Sequence, residues 1–508
     1  MNRTQKFALN SSTTAIYQIV AMVLGFITPS LMIKTYGSEI NGLVSSINQF
    51  ISYISLVEAG LSGAAVYSLY KPLANNDHKG INSIVSAAKN YYIKAGYIFS
   101  SAALVLAVFY AAFKRTDFLS PVMVFVLVLL LSVNGCVDFF VLARFRVILT
   151  ADQRTYVISM LSTVQIIVKA IIIIVCCTLN LDVIILYILA LLPIVIKIIV
   201  LFLYTKKHYS YLDFTAEPNV EALGRRYDVI YQQVLGTVQL GAPTVLATFF
   251  LDLVTVSIYS VYNMVLNGIN GVLSIFVSGL PAGFGELIAK NETENLKKTT
   301  SQFEVAYYYI LSVVYGLTMV LLLPFISIYT KNFDDAAHYF IPSLAFLIVA
   351  NGICYSIKMP QSMLMISAGM YKEQRWRSTI QAAVIICGGC LLAPFLGING
   401  IIIASICSNV YRTIDLLIYV PRHITGNSIP RTARRMIMVF VDIVIIYLPR
   451  LFIKYTPSNY FAWIVFALCF AVYAVAVTTV TAFAFDRAEF KALIKRVFGV
   501  FGRSKNNG

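Results

Sequence analysis

Charged residues are scarce in this sequence. Only 12% of its 508 residues are Asp, Glu, Lys or Arg, whereas 59% are hydrophobic and the mean hydropathy is +0.79. A water-soluble domain carries about 25% charged residues, and half that share cannot coat a surface that faces water. The composition therefore excludes a soluble globular protein and indicates a surface that largely faces lipid.

Histidine is also scarce, and cysteine is confined to apolar segments. Cys387 and Cys390 have the spacing of redox and zinc motifs, but no histidine lies near them and both fall in an apolar run. Small lipid-facing or packing residues of a helix are therefore the favoured interpretation. We predict no catalytic residue, no metal site and no cofactor. The four histidines all lie in predicted loops: His78, His208, His338 and His423.

Long apolar runs are abundant. Their length of about 20 residues suits membrane-spanning α-helices and not the alternating pattern of barrel strands. We predict an all-α polytopic membrane protein with about fourteen spans; two short runs, 380–396 and 436–451, leave twelve as the alternative. The predicted spans are 9–33, 41–70, 91–113, 119–142, 156–178, 183–204, 229–251, 255–280, 305–329, 340–366, 380–396, 401–420, 436–451 and 461–485.

The basic residues define an orientation. The formal net charge is +16, and most of the 39 Lys and Arg fall in alternate loops, on the side of the N-terminus. Cytoplasmic loops carry this excess, so we predict an even number of spans with both termini cytoplasmic. Because the positive charge is dispersed between apolar runs, a nucleic-acid partner is not expected.

The longest cytoplasmic loop divides the chain. We predict an N-terminal six-helix lobe over 1–205, a linker over 206–226 and a second six-helix lobe over 227–420. Two additional helices over 434–485 and a basic cytoplasmic tail over 486–508 complete the chain. Two lobes that face each other are a common way for transporters to form a central pathway.

Charged side chains within the spans are the candidates for function, because such charges are costly in lipid. Lys169 and Lys358 lie near the middle of their spans, one in each lobe. They suggest an anion-binding pair in a central cavity; a structural bond to a neighbouring carbonyl or acid is the alternative. Glu58 could carry a coupling proton or cation, or pair with a cavity lysine. Lys34 could meet substrate at the outer side or act as an anchor at the membrane surface.

Four further charges in the spans are predicted to be structural. Lys197 and Asp138 lie at similar depth on neighbouring helices, which favours an ion pair between them. Arg412 and Asp415 are three residues apart on one helix and can pair with each other. Asp442, in the thirteenth predicted span, is a fifth such charge and is given no predicted role.

The end of the second predicted span resembles that of a known family. Residues 58–67, Glu-Ala-Gly-Leu-Ser-Gly-Ala-Ala-Val-Tyr, and the following 70–77 are similar to Wzx-type polysaccharide flippases of the multidrug/oligosaccharidyl-lipid/polysaccharide exporter (MATE-like) superfamily. The stretches 151–155, 371–377 and 399–402 support the resemblance. Two features of some relatives are missing: an acidic residue near Ala242 and an arginine near Thr28.

The resemblance implies a V-shaped pair of six-helix bundles in a bacterial cytoplasmic membrane. It implies transport of an undecaprenyl-diphosphate-linked oligosaccharide from the cytoplasmic to the outer leaflet, for capsule, exopolysaccharide or other surface glycans. The implied partners are this lipid-linked oligosaccharide, membrane lipids, a coupling proton or sodium ion, and polysaccharide-assembly proteins. A multidrug antiporter is the first alternative, but it would need acidic rather than basic cavity residues. A membrane glycan polymerase is the second, but the predicted outer loops are too short for its catalytic clusters.

Overall fold

A computed structural model describes residues 3–59, 61–114, 116–219, 227–278, 280–333, 337–453 and 455–493, and these ranges contain helices and no strand. Residues 220–226 of the predicted linker and most of the predicted tail lie outside the described residues. In chain order the helices are α1 (Arg3–Ile54), α2 (Leu61–Ala74), α3 (His78–Phe113), α4 (Pro121–Val137), α5 (Ala143–Ala151), α6 (Thr155–Thr178), α7 (Val183–Leu189), α8 (Leu192–His208), α9 (Tyr227–Phe250), α10 (Leu253–Ser278), α11 (Leu280–Ala289), α12 (Thr293–Tyr329), α13 (Pro342–Ser356), α14 (Met359–Ser367), α15 (Tyr371–Val420), α16 (Ile429–Phe452) and α17 (Tyr460–Phe485).

Two of the helices are far longer than a membrane is thick. Among the described residues, ten helical stretches are long and apolar enough to cross a bilayer, and two of these, Ala8–Glu58 and Tyr371–Thr425, contain 51 and 55 residues. A bilayer needs about 20. Each stretch is broken by a glycine of positive φ, Gly37 at 83° and Gly397 at 57°, a conformation that residues with a Cβ rarely adopt. Each therefore holds two spans joined at a sharp kink.

The predicted fold class, an all-α polytopic membrane protein, is confirmed. Several predicted spans contain more than one helical segment: α4 continues into a turn of π-helix that leads to α5, and α1 is followed by a 3₁₀ turn, Ser55–Glu58, before α2. α16 is too rich in charge to be among the ten apolar stretches. The total of fourteen spans, with twelve as the alternative, stays a prediction.

The chain forms two compact units. The first consists mainly of Met1–Thr248 with Asp252–Ser257, and the second mainly of Ile258–Asn332 and Ala336–Gly508. α9 is held in the first unit: the Tyr53 hydroxyl donates to the Val238 carbonyl at 3.0 Å, and the Ser46 and Thr248 hydroxyls are 2.6 Å apart. The predicted division into lobes, linker, additional helices and tail stays a prediction.

Large apolar side chains cover the outer surface of the helices. Phe395, Phe452 and Phe461 are each more than three-quarters exposed. Exposed aromatic and aliphatic residues on this scale mark a surface that contacts lipid. With the ten apolar stretches, this makes the protein a multi-pass membrane protein.

Candidate functional site

Glu58 is part of an ionic cluster within the first unit. It lies in the 3₁₀ turn that joins α1 to α2, and its two carboxylate oxygens each accept a hydrogen bond of 2.8 Å from Nη2 of Arg146. Nη1 of the same guanidinium donates to Asp138 at 2.9 and 3.2 Å. One cation thus bridges two acids, and Glu58 is paired with an arginine rather than a lysine. The three side chains are 24–34% exposed.

A turn of π-helix places Arg146 and Asp138 on one side of their helix. Residues eight apart on an α-helix are rotated by about 80° from each other. The π-turn at Asp138–Leu142 takes up one additional residue, so positions 138 and 146 lie two full turns apart on the same face. In the sequence, Arg146 follows the fourth predicted span and is interpreted as a residue of a loop or helix end. No sequence pattern indicates the π-turn that changes the phase of the helix.

Lys197 does not form the predicted pair with Asp138. The Lys197 ammonium on α8 donates to the Ser162 hydroxyl at 3.1 Å and to Oε1 of Gln165 at 3.0 Å, both on α6. Asp138 is bound by Arg146 instead. The prediction of a Lys197–Asp138 ion pair was wrong because Arg146, with its two-pronged geometry, reaches both acids from the same helix face.

Lys169 lies on α6, beside α1. These helices run parallel at a nearly constant register, as two contacts show. The Tyr156 backbone N–H donates to the Asn10 side chain at 2.8 Å, a separation of 146 residues. The Thr14 and Ser159 hydroxyls are 3.2 Å apart, a separation of 145 residues. The same offset places Lys169 level with the middle of the first predicted span. Among the described residues, its ammonium has no hydrogen-bonding or ion-pair partner, although the side chain is partly buried. An unpaired cation at this depth is costly, and it is therefore a candidate for ligand binding.

Lys34 lies on α1 just before the Gly37 kink and is exposed. Its position at the outer end of the first predicted span suits either contact with substrate or an anchor at the membrane surface.

Lys358 is buried in the second unit, at the junction of α13 and α14. It is 5% exposed, its ammonium donates a hydrogen bond to Oδ1 of Asn409 on α15, and it lies 5.0 Å from the centre of the Tyr355 ring. Asn409 in turn donates to Asn351 at 3.0 Å. These partners are uncharged, so the cation is solvated by amides and an aromatic ring but is not neutralised by them. Lys169 and Lys358 belong to different units, and their joint action on a substrate stays a prediction.

The predicted ion pair between Arg412 and Asp415 is confirmed, and it is part of a larger network. Arg412 contacts Asp415 three residues along α15 and also donates to Oε1 of Gln374 at 2.8 Å, and Arg377 binds the second oxygen of Asp415. These contacts join the part of α15 before the Gly397 kink to the part after it.

A buried ion pair in the second unit was missed in the sequence. Glu304 on α12 accepts a hydrogen bond from Arg435 on α16 at 2.9 Å, and both side chains are under 5% exposed. Arg435 also contacts Asp486 at 3.0 Å, just after α17. All three residues stand at the ends of predicted spans and looked like loop charges. The network joins α16 and α17 to α12.

The motif at 151–155 has a structural role. The Asp152 carboxylate binds Lys6 at 3.0 Å, Arg154 at 2.8 Å and the Tyr209 hydroxyl at 2.6 Å. Burial of the ring and its bond to Asp152 raise the pKa of Tyr209 above its usual range, so the phenol stays a hydrogen-bond donor. Asp152 thereby ties the start of α1 to the end of α8.

Neither a metal cluster nor a disulfide is formed by the residues that the structure describes. Cys387 and Cys390 are exposed on α15, which fits the lipid-facing alternative rather than the packing one.

No protein-family model and no curated protein matches the chain. Solved structures do match. The lipid II flippase MurJ in an inward closed conformation superposes with a TM-score of 0.65 at 14% identity, covering 93% of this chain and 98% of that one. An inward-facing multidrug resistance MATE family transporter of the MOP superfamily gives 0.60 at 13%, covering 84% and 99%. Its outward-facing counterpart gives 0.53 at 14%, covering 86% and 97%.

The protein therefore has the fold of MOP-superfamily transporters and flippases. At identities this low the likeness is one of fold.

Proposed function

We propose that this protein is a flippase for a lipid-linked oligosaccharide with an anionic head group, and not an enzyme. The observation that carries the proposal is that the charges without an oppositely charged partner among its candidate residues are positive. Lys169 has no polar partner among the described residues, and Lys358 has only uncharged ones. By contrast, Glu58 and Asp138 are bound by Arg146. Excess cations near the middle of both units favour an anion over a cation as substrate.

A diphosphate suits these residues chemically. It carries several negative charges and many acceptor oxygens, which ammonium groups bind strongly when both are withdrawn from water. The sugars need uncharged hydrogen-bonding partners, and the exposed side chains of Ser11, Ser12 and Gln18 on α1 offer them. The lipid chain can stay in the bilayer while the head group passes through the protein.

The resemblance to Wzx-type flippases supports the finer proposal. The substrate would be an undecaprenyl-diphosphate-linked repeat unit, moved by alternating access from the cytoplasmic to the outer leaflet of a bacterial cytoplasmic membrane. Capsule, exopolysaccharide or another surface glycan would be the product, and polysaccharide-assembly proteins would be partners. The superposition with a lipid II flippase supports a lipid-linked substrate.

Binding of a diphosphate lipid tests the proposal. Purified protein in nanodiscs should bind undecaprenyl diphosphate more tightly than undecaprenyl monophosphate. Lys169→Gln with Lys358→Gln should weaken binding of the diphosphate at least tenfold, because two cations are lost. Lys71→Gln, which removes an exposed lysine in the last turn of α2, is the matched control and should bind like the wild type. Equal binding by the double variant and the wild type would contradict the proposal.

A multidrug antiporter is the second candidate, because MATE transporters share the fold. Cationic drugs would need unpaired acids, and Glu58 and Asp138 are paired. Increased drug resistance on overexpression, without any diphosphate-lipid binding, would favour this candidate.

A further inference from the structure

A proline interrupts the helix that carries Lys358. Only Ile357 and Lys358 separate α13 from α14, and both keep right-handed helical backbone angles. In an uninterrupted helix the Ser356 carbonyl accepts a hydrogen bond from the backbone N–H of the residue four positions on. That residue is Pro360, which has no N–H. The interruption therefore removes the regular donor of a buried carbonyl two residues before Lys358.

Two adjacent tyrosines on α12 supply donors at this interruption. The Tyr307 hydroxyl donates to the Ser356 carbonyl at 3.0 Å, and the Tyr308 hydroxyl donates to the Ile357 carbonyl at 3.2 Å. Both tyrosines are buried, at 1% and 4% exposure. A buried carbonyl without a donor is unfavourable, so the two hydroxyls stabilise the backbone from which the Lys358 side chain extends.

A glutamine connects the interruption to a buried acid. The Tyr308 hydroxyl also lies 3.1 Å from Oε1 of Gln361, in the first turn of α14, and Nε2 of Gln361 donates to Glu304 at 3.0 Å. A carboxylate only accepts hydrogen bonds, so the amide nitrogen must face Glu304 and the amide oxygen must face the tyrosine. Glu304 and Tyr308 are four residues apart and share one face of α12. Gln361 thus bridges the acid and the interruption.

The two C-terminal helices hold the other side of this acid. From α16, Arg435 donates to Glu304 at 2.9 Å and the Thr432 hydroxyl donates at 3.2 Å. Arg435 is bound in turn by Asp486, just after α17, at 3.0 Å. A continuous series of hydrogen bonds and ion pairs between largely buried groups therefore runs from the end of α17 to the backbone beside Lys358.

We propose that α16 and α17 regulate the head-group site through this series, with Tyr307, Tyr308 and Gln361 as positioning residues for Lys358. The inference rests on the proposed function, because that function assigns Lys358 to the anionic head group. Energetic coupling between distant sites is carried by such hydrogen-bonded and packed side chains. The positioning residues act through the backbone of Lys358 and need no contact with the substrate. A shift of α16 against α12 alters the hold on Glu304 and is passed through Gln361 to the lysine.

Hydrogen exchange tests the series without any ligand. In the purified full-length protein in nanodiscs, peptides that cover residues 357–366 should exchange faster in Gln361→Met, and in Tyr307→Phe with Tyr308→Phe, than in the wild type. Arg435→Met, which acts from α16, should have the same effect. Tyr309→Phe is the matched control, because this neighbouring hydroxyl contacts Thr479 on α17 at 3.0 Å instead, and it should exchange like the wild type there.

Lipid binding tests the regulation of the site. Tyr307→Phe with Tyr308→Phe should weaken binding of undecaprenyl diphosphate about threefold to tenfold, because Lys358 is less well positioned. In a Lys358→Gln background the same two substitutions should leave the affinity unchanged, since they act only through the lysine. A merely structural role would lower the unfolding temperature and change the affinity equally in both backgrounds. Tyr309→Phe should bind like the wild type.

The outcomes separate this inference from the proposed function. Unchanged exchange at residues 357–366 in the folded variants would overturn the inference, and so would an equal loss of affinity with and without Lys358. In both cases, binding of the diphosphate lipid by the wild type would leave the proposed function in place. A wild type that does not bind the lipid would overturn the proposed function and the regulation together.

Discussion

The Arg146 cluster allows a quantitative prediction about coupling between charges. Arg146 binds Glu58 at 2.8 Å and Asp138 at 2.9 Å, so Arg146→Met leaves two acids close together without a cation. Losing one partner costs about 3–5 kcal/mol for a fully buried pair and less than about 1 kcal/mol for an exposed one. Since these side chains are 24–34% exposed, we expect a loss of about 2 kcal/mol.

Neutralising the acids should reverse this loss. In Arg146→Met with Glu58→Gln and Asp138→Asn, no uncompensated charge is left, and we expect a coupling energy of about 1–3 kcal/mol between the substitutions. The assay is the unfolding transition of the purified variants in one detergent, with Lys71→Met as a control for the loss of an exposed cation.

Two results would refute this reasoning. The first is a triple variant that is less stable than Arg146→Met by the sum of the separate losses. The second is an Arg146→Met variant that unfolds like the wild type. Either outcome would mean that the cluster is solvated in the folded protein and that its three charges do not depend on one another.

Three more predictions concern the fold. Gly397→Ala should destabilise the protein by about 1–3 kcal/mol in unfolding experiments, because φ is +57° there, whereas Gly25→Ala, in open space, should not. Arg435→Met should cost about 3–5 kcal/mol in the same assay, because Glu304 is left buried without its cation, and Arg435→Met with Glu304→Gln should recover part of the loss. In a cysteine-free background, Lys331→Cys should react with an impermeant maleimide added outside intact cells and Asn76→Cys should not; the reverse would contradict the orientation.

The fold class could be predicted from the sequence because it depends on composition and run length. Apolar runs of about 20 residues and clusters of basic residues between them are features of the linear sequence, so they can be recognised without knowledge of the packing. The junctions could not be predicted in the same way. The kinks at Gly37 and Gly397 replace the loops that separate other spans, and a glycine in an apolar run does not reveal that its φ is positive.

The ion pairs show a second limit of the sequence. Arg412 and Asp415 could be paired in advance because residues three apart on a regular helix share a face. Arg146 and Asp138 could not, because the π-turn between them changes the phase of the helix. Glu304, Arg435 and Asp486 are far apart in the chain, and only the packing of α12, α16 and α17 brings them together. Long-range partners of this kind need tertiary structure.

The candidate residues fall between these two cases. The predicted depth of Lys169 and Lys358 in their spans follows from counting residues, but their surroundings do not. Lys169 is unpaired among the described residues, whereas Lys358 is enclosed by Asn409 and Tyr355. Lys169 is therefore the less enclosed of the two lysines.

Movement of a labelled lipid tests the central proposal most directly. Proteoliposomes that contain the wild type and a fluorescent undecaprenyl-diphosphate-linked sugar should show faster exposure of the label to an impermeant quencher than vesicles without protein. Lys169→Gln with Lys358→Gln should reduce this rate at least tenfold, while Lys71→Gln should keep it. A wild-type rate in the double variant, with folding verified, would contradict the account of how this protein handles an anionic lipid.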